Sequence, residues 1–286
     1  MMKVIFAASL VLVSVAGRAQ DKRVPVSVPE VDTRPGTVRW ITFPVPAGME
    51  NAPLVCRGQT IKHSKWKDNL HEAYVAESYF SGEEVHVCTL GPEATAVSLI
   101  KFNVRPFKFP EERLRVDQRK ITYSPQDQAR LEKEQGMLNA LYKKSASTPY
   151  FTTAFKAPLD STITSIYGTR RVYNKGHRSQ HLGTDFRAPV GQAVPAANRG
   201  RVLFAGDLFL TGGTVIIDHG MDIFTVYGHL SEPKTTEGQI VNQGDLIGLS
   251  GNTGRSSGPH LHWGVKIMGN YVDGYSLIDE TKRQYP

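Results

Sequence analysis

Residues 259–267 read PHLHWGVKI, and the alternation in this stretch decides the fold of the second half of the chain. Successive side chains of a β-strand point to opposite faces, so every second residue shares a face. The apolar face comprises Leu261, Trp263, Val265 and Ile267. The polar face comprises His260, His262, Gly264 and Lys266. The pattern predicts a strand with one face in a core and, on the other, two imidazoles with space beside them at Gly264.

Two neighbouring imidazoles on one strand face can share a metal ion, or one can bind it while the other acts as a base. They can equally be polar surface residues. A second segment contains His181 and Asp185, which are both good zinc ligands, although this spacing alone is common by chance. Four residues of straight strand span about 13 Å, too far for two side chains to meet at one ion. We therefore expect a bend between them, at Gly183.

Glycine recurs every few residues from position 150 to the C terminus, between β-branched and aromatic runs at 214–217 and 223–227. This composition predicts tight antiparallel β structure with hardly any helical period. His229 follows the second run, and it shares a face with Tyr227 if the strand continues.

The remaining histidines lack neighbours at ligand spacing or lie in turns. His219 falls in the hairpin turn before the second run, and we expect a structural role for it. His177 lies in a Gly-His-Arg loop and is expected to be solvated. Three more are expected to be surface or structural residues: His63, His71 and His86.

The first half of the chain has short strand-like runs at 38–43, 84–90 and 96–102. They are bounded by Pro-Gly, Ser-Gly and Gly-Pro turn signals. Ser124 and Pro125 then provide the N-cap and the first position of a helix. The predicted fold class is mainly β. Its predicted parts are an N-terminal immunoglobulin-like β-sandwich at 20–115, a linker at 116–150 with a helix at about 125–144, and a C-terminal glycine-rich antiparallel β-sheet domain at 151–286.

The N terminus has the pattern of an export signal. A basic start at Lys3 precedes a mostly apolar run at 4–15. Gly17 and Ala19 are small residues at the −3 and −1 positions of a cleavage site. The run is too short to remain as a membrane anchor; the alternative is a buried N-terminal helix. We expect a signal peptide at 1–19, a mature chain from Gln20, and a periplasmic or secreted protein without stable membrane insertion.

The composition and the distribution of charge further limit the class of protein. The 286 residues are 40% hydrophobic and 21% charged, which is typical of a globular protein. Residues 20–145 carry 19 basic and 16 acidic side chains and residues 146–286 carry 13 and 11. There is therefore no basic block of the kind that binds nucleic acid. In an exported protein the pair Cys56 and Cys88 suggests a disulfide; two free thiols acting as metal ligands are the alternative.

Together the motifs resemble those of the M23 peptidase family, the LytM/lysostaphin-like zinc metallopeptidases that cut peptidoglycan cross-links. The three linked motifs are HLGTD at 181–185, YGHL at 227–230 and GPHLH at 258–262, and the match also takes in TSIYGTR at 164–170 and VNQGDLIG at 241–248. It covers residues of about 155 to 278. The C-terminal domain is therefore expected to be a metallopeptidase domain.

The resemblance implies a role for each of five residues. His181, Asp185 and His262 correspond to the ligands of one Zn²⁺ per chain, and His260 and His229 correspond to the catalytic partners. The implied substrates are the stem peptides and cross-bridges of peptidoglycan, with His260 taking a proton from water. The N-terminal domain could position substrate, occlude the cleft or recruit a regulatory protein.

Two other interpretations of the same residues remain. Degenerate family members lose ligands and serve as peptidoglycan-binding or amidase-activating modules, but all five positions are intact here. Residues 237–248 also look like a biotinyl or lipoyl half-motif, which requires a lysine at a hairpin tip, and no lysine lies in such a turn.

Overall fold

The computed structural model describes residues 28–115, 123–174 and 176–286, without the side chain of His177. The predicted signal peptide at 1–19 and the predicted start at Gln20 lie outside these residues. Within the described residues, no helix is long and apolar enough to cross a membrane. The chain is mainly β, with 21 strands, two α-helices and one 3₁₀ turn at Glu93–Thr95 in that part.

Nine strands precede the first helix: β1 (Glu30–Thr33), β2 (Val38–Pro44), β3 (Leu54–Cys56), β4 (Gln59–Ile61), β5 (Ser64–Lys67), β6 (Leu70–Ala76), β7 (Glu84–Leu90), β8 (Val97–Val104) and β9 (Glu111–Leu114). One sheet has the order β1-β8-β7-β3-β4, and a second has the order β2-β6-β5. Among the described strands of these two sheets, only the β1–β8 pair is parallel.

A disulfide joins Cys56 of β3 to Cys88 of β7, which confirms the predicted pairing. The two residues lie directly opposite each other in an antiparallel ladder, with Cα atoms 4.3 Å apart. Both side chains are fully buried. Closing a loop of this length stabilises the folded chain by about 3–4 kcal/mol in the chain-entropy model.

Helix α1 (Pro125–Tyr142) begins at the predicted residue and ends two residues before the predicted end. Ser124 caps it by accepting a hydrogen bond from the Asp127 amide, and the Asp127 carboxylate accepts one from the Ser124 amide in return. This reciprocal capping satisfies two amides that a helix start otherwise leaves unpaired.

Twelve strands follow the helix: β10 (Ile163–Ser165), β11 (Arg170–Tyr173), β12 (His177–Gln180), β13 (Thr184–Arg187), β14 (Ala193–Pro195), β15 (Gly200–Leu208), β16 (Gly212–Asp218), β17 (Ile223–Pro233), β18 (Ile240–Val241), β19 (Leu246–Ser250), β20 (His260–Ile267) and β21 (Asn270–Val272). Ten of them form one sheet, with the main order β10-β13-β20-β17-β16-β15-β18. A small third sheet, β12-β11-β9, joins β9 in parallel to β11.

The strand predicted at 259–267 is β20, and its alternation is as expected. Its four apolar side chains are each at most 1% exposed. Gly264, however, does not leave the expected space: a Cβ built there would lie 3.4 Å from the ring of Tyr271, an ordinary contact. The ring of Tyr271 therefore occupies the space that was expected to be open beside Gly264.

The expectation of hardly any helical period after position 150 is wrong in one place, because helix α2 (Gly274–Gln284) closes the chain. Asp273 caps it by accepting from the Tyr275 amide. Its buried side is short and partly polar, comprising Leu277, Ile278, Glu280, Thr281 and Gln284. These buried positions recur at helical spacing, so the segment does carry a helical period that our prediction overlooked.

Candidate metal centre and active site

Two adjacent strands bring the predicted residues together. Strands β13 and β20 are antiparallel neighbours, with Asp185 opposite His262 and Arg187 opposite His260. His181 lies before β13, and the chain bends at Gly183, as predicted from the spacing. The bend carries the His181 side chain over Asp185 and His262.

His181, Asp185 and His262 form a group of three whose ligand-type atoms all lie within 4.8 Å of one another. Asp185 Oδ1 is 2.9 Å from His181 Nε2 and 2.8 Å from His262 Nδ1, and the two nitrogens are 3.2 Å apart. His181 and Asp185 are buried, and His262 is partly buried. It is the one such group of three or more His, Cys, Asp and Glu side chains among the described residues.

The hydrogen bonds of His181 fix which of its nitrogens faces the group. Its Nδ1 is 3.1 Å from the carbonyl oxygen of Ile166. A carbonyl oxygen can only accept, so Nδ1 carries the proton and donates. In the neutral imidazole Nε2 then presents a lone pair to the Asp185 carboxylate, 2.9 Å away. Two groups whose lone pairs face each other at this distance require a cation, either a proton or a metal ion, between them.

Burial opposes ionisation of the Asp185 carboxyl, but its contacts with His181 and His262 outweigh burial and hold its pKa well below the usual range. Burial lowers the pKa of His262, and Asp185 partly offsets this effect. The carboxylate is therefore charged at neutral pH. It supplies a negative charge at the point where the nitrogens converge.

Gly183 is needed because the ring of His262 packs directly against it. A Cβ built on it would lie 2.4 Å from Cε1 and 2.6 Å from Nε2 of His262. Real Cβ atoms do not approach ring atoms so closely, so any other residue at this position displaces the His262 ring or the bend. The spacing of His181 and Asp185 explains the bend, and the contact with His262 explains why glycine occupies it.

Sequence reasoning missed Arg171 and Ser165, which surround the group. Arg171 Nη2 donates to Ser165 Oγ at 3.0 Å and lies 3.4 Å from Asp185 Oδ2. Ser165 Oγ is in turn 3.1 Å from His181 Nδ1. Arg171 therefore engages the carboxylate oxygen that the histidines leave free. No spacing rule reveals this contact, because it depends on the pairing of β10 with β13 and of β11 with β12.

His229 reaches the site by a different route from the one expected. The prediction that it shares a face with Tyr227 is wrong, because the ladder between β16 and β17 shifts register here: Val215 faces Tyr227, whereas Gly213 faces Leu230. This bulge and a φ of +61° at His229 turn its side chain to the face that carries His262. Bulges commonly redirect one side chain beside an active site.

His229 and His260 lie with their ring centroids 4.6 Å apart. Backbone carbonyls fix both tautomers: His229 Nδ1 donates to Thr253 O and His260 Nδ1 donates to Gly258 O, each at 2.8 Å. In the neutral form each ring keeps a basic Nε2. His260 Nε2 lies 3.7 Å from Asp185 Oδ1, at the edge of the candidate metal site formed by His181, Asp185 and His262. Burial lowers the pKa of His229 to about 4, and His260 and His262 act in the same direction.

The other histidines whose side chains are described, at positions 63, 71, 86 and 219, have structural surroundings. His219 is fully buried, with Nδ1 2.8 Å from Arg199 O and Nε2 2.7 Å from Thr225 Oγ1. His86 contacts Glu77 at 2.8 Å. His63 and His71 contact each other through their Nδ1 atoms at 2.8 Å, a pairing that their spacing did not indicate.

Comparisons with known proteins agree with this geometry. The model of Peptidase family M23 matches residues 179–274. The chain is 40% identical over 119 residues to the peptidoglycan DD-endopeptidase ShyA of Vibrio cholerae, covering 41% of this chain and 28% of that protein. It is 41% identical over 101 residues to the DD-carboxypeptidase/endopeptidase Mpg of Neisseria meningitidis, covering 35% and 23%. The chain thus spans about a quarter of the length of these relatives.

One solved structure extends the similarity beyond the matched region. A Pseudomonas aeruginosa protein, crystallised as a candidate peptidase M23, is 25% identical and superposes with a TM-score of 0.66. The superposition covers 86% of this chain and 95% of the other, so the architecture in front of the ten-stranded sheet is shared as well. Residues 179–274, which match the model of Peptidase family M23, contain the candidate metal site together with His229 and His260.

Proposed function

We propose that this protein is a zinc-dependent endopeptidase that hydrolyses the peptide cross-links of peptidoglycan. The observation that carries the proposal is the convergence of two imidazole nitrogens and one carboxylate oxygen beside the basic Nε2 atoms of two further histidines. Names of the relatives support the substrate, since they include peptidoglycan DD-endopeptidases. An export signal at 1–19 would place the enzyme in the cell envelope, either in the periplasm or secreted.

The donor set fits zinc. Two neutral imidazoles and one carboxylate are typical of catalytic zinc sites, which keep a fourth position open. Bonds of about 2.0–2.1 Å in a tetrahedral arrangement separate neighbouring ligands by about 3.3 Å. The three separations of 2.8, 2.9 and 3.2 Å differ from this value by half an ångström or less. We assign His181 Nε2, Asp185 Oδ1 and His262 Nδ1 as the ligand atoms.

When bound, zinc supplies Lewis acidity, which polarises a peptide carbonyl and lets water lose a proton near neutral pH. His260 has the position of a general base, because its Nε2 is unprotonated in the neutral ring and lies at the edge of the ligand group. It takes a proton from the attacking water and returns one to the leaving amine.

His229 is the second catalytic partner. Its buried ring is neutral at rest, with Nδ1 held by the Thr253 carbonyl. A neutral Nε2 accepts a hydrogen bond, and only after it gains a proton can it donate to a developing oxyanion. We therefore assign to His229 the orientation of the substrate or water first and stabilisation of the oxyanion second.

The N-terminal sheets are proposed to form the immunoglobulin-like domain, which positions substrate or receives a regulatory protein. Their attachment to the peptidase region supports a fixed relation between the two parts. Arg39 of β2 contacts Glu280 of α2 at 2.9 Å, and the Asp273 amide donates to the Gly36 carbonyl at 2.7 Å.

Digestion of purified sacculi tests the proposal. The protein is expected to bind about one zinc per chain and to reduce the cross-linked muropeptides. His260→Ala should retain the zinc and lose about 10²–10⁴-fold in rate, because general-base catalysis contributes about that factor. His262→Ala should lose both zinc and activity. His63→Gln, in the connection between β4 and β5, is the control and should keep both.

The proposal is wrong if the wild-type protein leaves the cross-links intact, or if His260→Ala digests them at the wild-type rate. Zinc binding with no digestion by any form would instead favour a binding or amidase-activating module. Chromatography of the released muropeptides identifies the bond that is cut.

A further inference from the structure

Helix α1, whose residues are all described, lies on the surface and has no buried residue. Leu138, Leu141 and Tyr142, in its C-terminal half, pack against the apolar cluster on the outer face of β15, β16 and β17. The N-terminal half lacks an apolar anchor of this kind among the described contacts of that cluster. Its position is instead fixed by charged side chains that reach one turn of the ten-stranded sheet.

That turn, residues 209–211, connects β15 to β16 and defines what we call the brace turn. The Phe209 amide donates to Glu134 Oε2 at 2.9 Å. Arg130 contacts Glu134 at 2.6 Å and Asp207, at the end of β15, at 2.8 Å. The Glu134 side chain is only 16% exposed. Its bond to a backbone amide is therefore a partly desolvated, charge-assisted one.

On the side away from helix α1, the brace turn contacts the backbone of His229. The Thr211 carbonyl accepts from the His229 amide at 2.6 Å. Gly212, directly after the turn, packs so closely on Thr253 that a Cβ there would lie 2.3 Å from its Oγ1. The carbonyl of Thr253 is the acceptor of His229 Nδ1. Backbone and ring of His229 are therefore both positioned by the brace turn and its neighbour.

His229 needs such support because of its backbone conformation, with a φ of +61°. This conformation is unfavourable for a residue with a side chain and persists only where surrounding contacts enforce it. We propose that Glu134 is a positioning residue that, through the brace turn, holds His229 in its catalytic orientation. Helix α1 is then a brace for the active site rather than only a connection between two parts of the chain. The inference rests on the proposed role of His229.

Substitution of Glu134 in the full chain tests this proposal. Glu134→Ala removes the acceptor for Phe209, whereas Glu134→Gln keeps an amide oxygen in the same place. Glu132→Ala, two positions away and bonded only to Gln128 among the described contacts, is the matched control. We expect kcat on peptidoglycan to fall about tenfold or more in Glu134→Ala, with KM and zinc affinity unchanged, since small misplacements of a catalytic group have such effects. Glu132→Ala should retain the wild-type kcat. Glu134→Gln keeps one acceptor oxygen for the Phe209 amide but gives up the contact with Arg130, so it should lose less activity than Glu134→Ala.

An NMR measurement tests the position of His229 without depending on catalysis. In the ¹⁵N-labelled protein, the imidazole signals of His229, assigned by their loss in His229→Gln, should shift or broaden in Glu134→Ala and not in Glu132→Ala. Unchanged signals in Glu134→Ala would overturn the proposal, as would a Glu134→Gln variant that is as defective as Glu134→Ala. If the wild-type protein cuts no peptidoglycan, the proposed function fails, but the His229 signals still decide whether the brace exists.

Discussion

At the scale of single residues, the site depends on groups whose partners are backbone atoms. The carbonyls of Ile166, Thr253 and Gly258 fix the tautomers of His181, His229 and His260. Carbonyl oxygens only accept hydrogen bonds, so each ring must donate through Nδ1 and present Nε2 to the site. The chemistry of three histidines is thereby set by the main chain.

Gly183→Ala is expected to weaken zinc binding about tenfold or more, because the added methyl group occupies the place of the His262 ring. Gly82→Ala is the matched control, since a Cβ at Gly82 has no atom within 4 Å. Competition with a chromophoric chelator measures both affinities. Equal affinities for wild type and Gly183→Ala would show that the ring has room to move.

His219 makes the stability of the fold depend on pH. It is fully buried beside Phe155 and Thr225, and its described hydrogen bonds go to no charged side chain. Burial lowers its pKa to about 4, and the Arg199 carbonyl offsets this only in part. Between pH 6.5 and 4 the unfolded chain thus binds more protons at this residue than the folded chain does.

The neutral, buried His219 therefore contributes to the free energy of unfolding above about pH 6.5. This contribution is lost as the pH falls toward 4, by about 2–3 kcal/mol at pH 4.5. His219→Gln should therefore lose less stability than wild type between pH 7 and pH 4.5. Urea unfolding of both proteins at the two pH values measures the difference. Identical losses would mean that His219 is protonated as easily in the folded state as in the unfolded chain.

At the scale of elements, the alternation of apolar residues predicted the strands well, whereas helix α2 was missed. The alternation in β20 correctly separated its core face from its histidine face, and β7 has the predicted bounds of 84–90. Helix α1 was predicted from its cap, Ser124 and Pro125, together with a rough apolar stripe that includes Leu138, Leu141 and Tyr142. Helix α2 has a comparable cap at Asp273, and a search for caps independent of hydrophobicity would have detected it.

The bulge in β17 is a feature that the alternation within a single strand does not predict. A period of two predicts the orientation of every residue up to Tyr227 and then fails at His229. The shift arises from the pairing of β17 with β16, earlier in the chain, where Gly213 packs so closely on Leu230 that a Cβ would lie 2.3 Å from its carbonyl oxygen.

At the scale of the whole molecule, a continuous apolar core links the N-terminal sheets to the ten-stranded sheet. Tyr74 of β6 lies 6.3 Å from Phe151, ring to ring, and hydrogen-bonds to Gln284 of α2. Ala76 and Met268 are also in contact. Because the core is shared, we expect changes at the junction to destabilise both parts together.

Gly36→Ala tests this coupling. Gly36 has a φ of +76°, and a Cβ there would lie 2.5 Å from the Tyr167 ring, across the junction. Gly48→Ala is a matched control with a φ of +85° and open space around the Cβ. It carries the backbone strain alone, about 1–2 kcal/mol. Chemical denaturation should show a larger loss for Gly36→Ala than for Gly48→Ala, in a single transition. Equal losses would mean that Tyr167 moves aside freely.

The sequence by itself determined the β class and the cap of α1, through local periodicity and capping chemistry, and it suggested the cysteine pair. Its resemblance to a known family pointed to the five residues that the structure brings together. The tertiary structure decided how the residues act. The orientation of His229, the contact of Gly183 with His262, the position of Arg171 beside Asp185 and the link from Glu134 to the brace turn all depend on pairing between distant segments. Strand register and close packing arise only when these segments meet, and no local pattern contains them.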